Sequence, residues 1–476
     1  MVNLIDKNDI RNKNPWWIDP KINILEPRLI YRDLYFVLKK DLKLPMILNI
    51  VGLRRVGKST IIKQLIANLL NKKENPINIF YYLFDEYNQV NTTKVLEEVL
   101  NYYLDEILEK KLFELKKRVY IFLDEIQYIA GWQAVLKKYY DLSNKKIKFI
   151  ITGSQSVLLR NKSTETLSGR IFDYYLPPLS FREFLEIKKT KIDISKINRV
   201  SIFTLDKFFK KIESLNYQSG HKLSELAQEY VLTGQFPECL EIVDEKMKNV
   251  YLKESVVGKI IEDILTIYDI DKTENFKILT HYLLKNSGNL IELKNISEQI
   301  GLSFISLDKY LNFLKSGYLV KLLYKKHRSS IKQGRILKKI YATSSNFTSA
   351  LEGYQKKDLE KFPQAFGHII ETAIFNFLEV NYSGNSLISR VSFWRQGEKE
   401  IDFLISDNKK EIALEVKFTQ RINSKELKTL INYVQEKKAQ SAIVVTKNKI
   451  DKKKINKQTT LYYIPYYLFL LLGKNS

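Results

Sequence analysis

Sulfur and imidazole are scarce in this chain. A single cysteine, Cys239, excludes an internal disulfide, and the four histidines, His221, His281, His327 and His368, lie too far apart for zinc-ligand spacing. Long apolar runs are missing as well. The longest candidate, LYYIPYYLFLLL from Leu461 to Leu472, is shorter than a bilayer requires and is broken by Pro465, so it reads as a strand entering a terminal helix. The amino-terminal MVNLIDKNDIRNKN has no apolar signal core. These absences predict a cytoplasmic chain with no membrane partner and neither a redox nor a zinc role.

What is present is a chain of 476 residues, 45% hydrophobic and 28% charged, the balance of a soluble globular protein. That length exceeds one ordinary core and argues for three or so domains. Lys plus Arg number 78 against 54 Asp plus Glu, a formal charge of +24, which favours polyanion partners through counterion release. Lys, Asn and Ile are abundant throughout, so part of that excess is compositional. Local clustering says more: KLLYKKHRSSIKQGRILKKI, from Lys321 to Ile340, has eight Lys or Arg and no acid.

Only 17 glycines occur, and two of them fall within GLRRVGKST. Gly52, Leu53, Arg54, Arg55, Val56, Gly57, Lys58, Ser59 and Thr60 follow the apolar MILNIV and open STIIKQLIANLL, whose Ile62, Leu65, Ile66, Leu69 and Leu70 share a helical face. Strand, loop and helix in that order let consecutive amides turn toward phosphate oxygens at a helix N-terminus. Lys58 is then placed for the β- and γ-phosphates of ATP and Ser59 for Mg2+. Such a loop requires a second apolar strand ending in acid, and RVYIFLDEIQYI supplies it. Asp124 is the expected magnesium-shell residue and Glu125 the group that polarises the attacking water. A further strand, IKFIITGSQS, offers Thr152, Ser154 or Gln155 near the γ-phosphate. Arg170 precedes another strand, where an arginine finger toward a neighbouring subunit and a structural arginine both stand as readings.

GLRRVGKS, LDEIQYIAGW, LSGR and PPLSFREFL together resemble the AAA+ ATPases, and more narrowly a prokaryotic group of them. The resemblance implies a parallel sheet with ATP at its carboxyl edge and a homo-oligomer built through the nucleotide sites, here over residues 1–178. Ser180 and Glu183 then form a capping box, and helical periodicity runs over 179–270 as a lid or linker. Within it YVLTGQFPECLEI resembles a segment of the same family, with Gln235 in place of a glycine and Cys239 as a packed side chain.

Residues 271–345 predict a winged helix. Ile296, Ile300, Leu302, Leu307, Tyr310, Leu311 and Leu314 suit a helix-turn-helix core, Gly317 breaks into the wing, and the basic cluster falls on the wing strands. DNA is the expected partner, with protein contact as the other reading. In 346–476, Asp402 interrupts an apolar strand, and Glu415 and Lys417 alternate with Leu414, Val416 and Phe418, which places both on one strand face. A carboxylate pair of this kind can share a divalent cation, Lys417 can activate water, and Glu371 on the preceding helix can complete the shell. This pattern resembles the PD-(D/E)xK nuclease superfamily. Cleavage of DNA, with Asp402, Glu415 and Lys417 catalytic, and a silent nuclease-like fold that grips DNA or a partner, both stand. Trp394 and Arg395 are read as packing or phosphate contacts, and His368 as structural. The fold class expected is α/β: a P-loop AAA+ sheet, a helical lid, a winged helix and a restriction-endonuclease-like domain. The function is either an ATPase acting on DNA or a regulatory ATPase acting on a protein partner.

Overall fold

Five short apolar runs pair side by side in the first part of the chain. The computed structural model describes residues 5–25, 30–84, 92–153, 167–197, 200–268, 270–326, 337–383, 390–407, 410–437, 439 and 441–473. Two compact units divide it, residues 1–177 with 316–318, and residues 178–315 with 319–476. In the first unit, β1 (Ile47–Val51), β2 (Ile79–Leu83), β3 (Val119–Asp124), β4 (Ile147–Gly153) and β5 (Ile171–Tyr175) form one parallel sheet in the order β2-β3-β4-β1-β5. Every residue of β1, β3 and β4 is buried, as befits parallel strands covered on both faces. The helices α1 (Lys58–Asn71), α2 (Thr93–Tyr102) and α3 (Trp132–Leu142) turn apolar faces inward, with Ile62, Leu65, Leu96, Val99 and Leu136 buried. Because all five strands run the same way, the loops leaving β1, β3 and β4 meet at one edge, where such sheets bind ligands.

The second unit begins with the Ser180–Glu183 capping box, formed as the sequence predicts, and continues into α4 (Leu205–Thr233). Helices α5 (Thr273–Lys285), α6 (Leu293–Ile300) and α7 (Phe304–Ser316) follow, then an antiparallel hairpin of β6 (Val320–Tyr324) and β7 (Lys338–Ala342). Ile296, Leu302, Leu307, Tyr310, Leu311 and Leu314 are buried, and Gly301 ends α6 in the left-handed conformation. The break after α7 differs in one detail from expectation: the left-handed residue is Tyr318 (φ 57), not Gly317. Helices α8 (Ser345–Glu352) and α9 (Pro363–Leu378) lead to a six-stranded sheet of β8 (Val391–Gln396), β9 (Lys399–Asp407), β10 (Lys410–Lys417), β11 (Ser441–Thr446), β12 (Asp451–Lys454) and β13 (Thr460–Pro465). Its order is β12-β13-β11-β10-β9-β8, with β10, β11 and β13 parallel.

Residues of α9 cover one face of this sheet, packing with Phe403, Ile412, Leu414 and Ile443. Leu430, Tyr433 and Val434 of α10 (Lys428–Glu436) cover the other. The first of these cores also takes in Phe209 and Leu223 of α4 and Leu323 and Tyr341 of the hairpin, so it draws on the segments expected as lid, wing and carboxyl-terminal domain. Cys239 is buried, and burial pushes its thiol up to about 12, so it packs rather than reacts. No helix among the described residues is long and apolar enough to cross a membrane.

A buried polar network joins the end of α4 to the start of α8. The Asn346 amide donates to the carbonyls of Tyr230 (3.0 Å) and Val231 (2.9 Å), and its Oδ1 accepts the Gln235 N–H at 2.8 Å. Truncating Asn346 would leave the buried Gln235 N–H without this acceptor and take one donor from each carbonyl, which would keep Gly234 N–H at Tyr230 and Ser345 Oγ at Val231. Asn346→Ala is therefore expected to destabilise the second unit by about 2–4 kcal/mol, read as a lower urea midpoint with an unchanged slope.

Candidate nucleotide site and carboxylate centre

The loop after β1 holds its shape through glycines where side chains do not fit. Gly52 has φ 153, and a Cβ there would lie 2.4 Å from the Leu176 carbonyl oxygen, while Gly57 caps α1 at φ 100. Arg55 also takes a positive φ, 63°, and Leu53 and Val56 anchor the loop in the core. Lys58 opens α1 and is only 3% exposed. Its Nζ donates to the carbonyls of Gly52 (3.3 Å) and Leu53 (3.1 Å) and lies 3.6 Å from Glu125 Oε1. Fixed φ values, a helix N-terminus and a buried ammonium together suit a polyphosphate.

The acid end of β3 lies beside it. Asp124 is fully buried; Thr152 Oγ1 donates to its Oδ1, and Tyr81 OH donates to Oδ2 at 3.1 Å. Burial raises the Asp124 pKa and the Glu125 charge adds to that, while hydrogen bonds from Thr152 and Ser59 and the nearby Lys58 oppose both. Glu125 follows in the left-handed conformation, φ 54, with its N–H donating to Thr152 Oγ1 at 2.9 Å and its Oε2 accepting from the Gln127 amide. One threonine thus orients both acids. Of the three polar residues expected near the γ-phosphate, Thr152, near the end of β4, meets the acids; Ser154 and Gln155 lie outside the described residues. The hydroxyl of Ser59 beside the carboxylate of Asp124 is an all-oxygen donor pair of the kind magnesium prefers, so these residues fit that ion.

Two participants escaped sequence reading. Arg32, 6% exposed, donates to the carbonyls of Val56 and Pro177, each at 2.9 Å, and so ties the phosphate loop to the chain after β5. A lone arginine far upstream carries no signal for this. Tyr81 looked like an ordinary strand aromatic; only the pairing of β2 with β3 brings its hydroxyl to Asp124. Arg170 lies elsewhere. It precedes β5 and meets the start of β1 through the Ile47 N–H, and its guanidinium pairs with Asp141 at 3.0 and 3.2 Å. It is on the amino-terminal edge of the sheet, a strand length of roughly 16 Å from the edge that holds Lys58.

In the second unit, Leu414 pairs with Phe403 across β10 and β9, so the next residues along, Glu415 and Asp402, are neighbours. Asp402 Oδ2 accepts the Val416 N–H at 2.8 Å, and Lys417 Nζ pairs with Glu415 at 3.0 Å. Burial, then the Asp402 charge, drives the Glu415 pKa up. Glu371 projects from α9 and accepts from Tyr341 OH at 2.7 Å; burial pushes it up to about 7 against the pull of Lys339.

Lys339 was expected on the wing, facing phosphate. It is instead 4% exposed, 2.6 Å from Glu400, 3.5 Å from Glu371 and 4.0 Å from Asp402. Burial works against its ammonium, but Glu371, Asp402 and Glu400 outweigh that and raise its pKa. Glu400 was legible in principle, since it stands two residues before Asp402 on the same strand. Lys326 of the same basic cluster pairs with Glu411, and residues 327–336 lie outside the described set. Trp394 packs near Tyr433, Arg395 pairs with Glu400 at 2.8 Å, and His368 is exposed on α9. Among the described residues no three His, Cys, Asp or Glu side chains are grouped to hold a metal ion.

Thr152→Val would remove the hydroxyl shared by Asp124 and Glu125 while keeping shape. It is expected to lower ATP turnover about 10–100-fold and leave nucleotide affinity within a few-fold, measured by steady-state kinetics alongside fluorescent-nucleotide binding. Lys58→Ala is expected to weaken nucleotide binding about 100-fold in the same binding assay.

Comparison with known proteins finds matches to three family models along the chain. Residues 45–185 match the model of an AAA domain family, residues 224–358 match a domain of unknown function, DUF8612, and residues 366–467 match another, DUF4143. An uncharacterized protein of Methanocaldococcus jannaschii, MJ1544, is 26% identical over 388 residues, 79% of this chain and 76% of that one. One from Haemophilus influenzae is 25% identical over 88% of this chain and 93% of its own. Among solved structures, C. elegans PCH-2 aligns over 41% of this chain and 50% of its own at 14% identity and a TM-score of 0.22. Thermotoga maritima RuvB aligns over 75% and 95% at 12% and 0.25. The AAA domain spans the segment that carries Lys58, Asp124, Glu125 and Thr152.

Proposed function

We propose that the first unit binds ATP with magnesium and hydrolyses it, and that the chain uses this cycle as a regulatory switch on a macromolecular partner. The observation that carries the reading is the convergence of Lys58, Asp124, Glu125 and Thr152 at the carboxyl edge of one parallel sheet. Ser59 and Asp124 would hold the magnesium ion, which supplies positive charge to the β- and γ-phosphate oxygens. The Lys58 ammonium neutralises the triphosphate, which competes with Glu125 for it. Nucleotide binding therefore frees the Glu125 carboxylate to orient water toward the γ-phosphorus, with Thr152 fixing the backbone of Glu125 and Gln127 its Oε2. Arg170, remote from its own Lys58, is assigned to the nucleotide of a neighbouring copy in a homo-oligomer.

A second reading adds DNA binding and cleavage. It draws on the net charge of +24 and on the order of three helices and a hairpin in α5–α7 and β6–β7, as in a winged helix. The internal pairing of Lys326 with Glu411 and of Lys339 with Glu400 favours the regulatory reading, because these lysines are not free for phosphate.

The test is ATP hydrolysis by the full chain with magnesium, with and without DNA. Turnover is expected without DNA and to fall about 100-fold or more in Glu125→Gln with ATP binding retained. Turnover that rises with DNA, and a DNA affinity whose salt slope flattens in Lys325→Glu/Lys326→Glu, would favour the second reading. Absence of turnover under all these conditions would remove both.

A further inference from the structure

We propose that Lys339 is the resident cation of the carboxyl-terminal carboxylate centre, standing where a divalent metal would bind and closing that centre to magnesium. This goes beyond the ATPase reading and does not depend on it.

The geometry comes from the hairpin. Lys339 and Tyr341 alternate on β7, so both side chains leave the strand on one face, and both end at Glu371: the hydroxyl at 2.7 Å, the ammonium at 3.5 Å. The backbone that delivers them is held on both sides. Lys339 pairs with Leu323 across the hairpin and bridges to Leu290, and the Ile340 N–H donates to the Asn289 carbonyl at 3.1 Å. Gly288, at φ 94, takes the left-handed conformation beside them, and a Cβ there would lie in ordinary contact, 3.5 Å, with Glu371 and His368. The Phe393 ring lies 5.8 Å from the ammonium and closes another side.

A metal does not fit among these groups as they stand. Carboxylate oxygens surround the ammonium at 2.6, 3.5 and 4.0 Å, whereas magnesium requires oxygens at about 2.0–2.1 Å. To bind, an ion would have to occupy the volume that the lysine head already fills. Charge balance points the same way. Lys339, Arg395 and Lys417 face Glu371, Glu400, Asp402 and Glu415. Three cationic side chains against four carboxylates leave a single net negative charge, so the chain itself matches most of the carboxylate charge without any ion. A divalent cation would add charge to a nearly balanced cluster in a site with little water, and burying unpaired charge is unfavourable. This centre departs in that respect from the nuclease superfamily it resembles: the second cation is built into the chain.

The test is titration with Mn2+ of the full chain without nucleotide, following free Mn2+ by electron paramagnetic resonance. Wild type and Asp402→Asn are expected to give superimposable isotherms. Lys339→Met is expected to bind one more Mn2+ per chain, and Lys339→Met/Asp402→Asn to lose it again. Should Lys339→Met not fold, Lys339→Met/Glu400→Gln, with one uncompensated carboxylate fewer, replaces it. If neither variant folds, the comparison of wild type with Asp402→Asn decides alone. A Mn2+ site in wild type that Asp402→Asn removes would overturn the proposal. So would a folded Lys339→Met that gains no ion.

Discussion

A carboxylate stripped of water keeps its charge only if donors are already in place around it, and Asp124 at the end of β3 is the residue on which the first unit depends in this way. Its two oxygens take hydroxyls from Thr152 on β4 and Tyr81 on β2, and Ser59 adds a third at the start of α1. Three neighbouring elements are thereby registered against β3 at one edge. The strand pairing that makes the sheet and the hydroxyls that hold the acid enforce each other. The same edge places Lys58 and Glu125 within 3.6 Å. Structure and candidate chemistry share one set of contacts.

The second unit meets the same constraint differently. There the partly buried carboxylates of Glu371, Glu400 and Asp402 are matched by an ammonium, Lys339, carried in on a hairpin, with a tyrosine hydroxyl as its companion. A pairing of this kind does little for net stability, since desolvating both signs costs about what their attraction returns. Its consequence is geometric: the hairpin is registered against α9 and β9. Glu415 and Lys417 form a second pair on β10, so internal salt bridges match the charges of the cluster on two strands.

The two centres also differ in how far they could be read from the chain. The phosphate loop is a contiguous stretch whose glycines, lysine and hydroxyl act through local backbone geometry, so nine residues suffice to announce it. The acidic strand end is nearly as plain, because an apolar run that stops at two acids has a definite meaning once the loop is known. The carboxyl-terminal pattern showed which strand residues share a face, and Glu415 with Lys417 does so. It said nothing of what would approach that face from a segment more than sixty positions earlier, where Lys339 stood in a basic run that looked solvated.

Local periodicity and spacing thus determined the apolar strands, the capping box at Ser180, the loop around Lys58 and the positions of Asp124, Glu125, Asp402 and Glu415, because each depends on residues a few positions apart. That Thr152 and Tyr81 would meet Asp124, that Arg32 would hold the loop, that Arg170 would lie at the opposite edge, and that Lys339 would be buried among carboxylates were decided only by the tertiary structure. The reason is physical: a charge's environment is set by what packs against it from other elements, and one strand or helix carries no record of its neighbours.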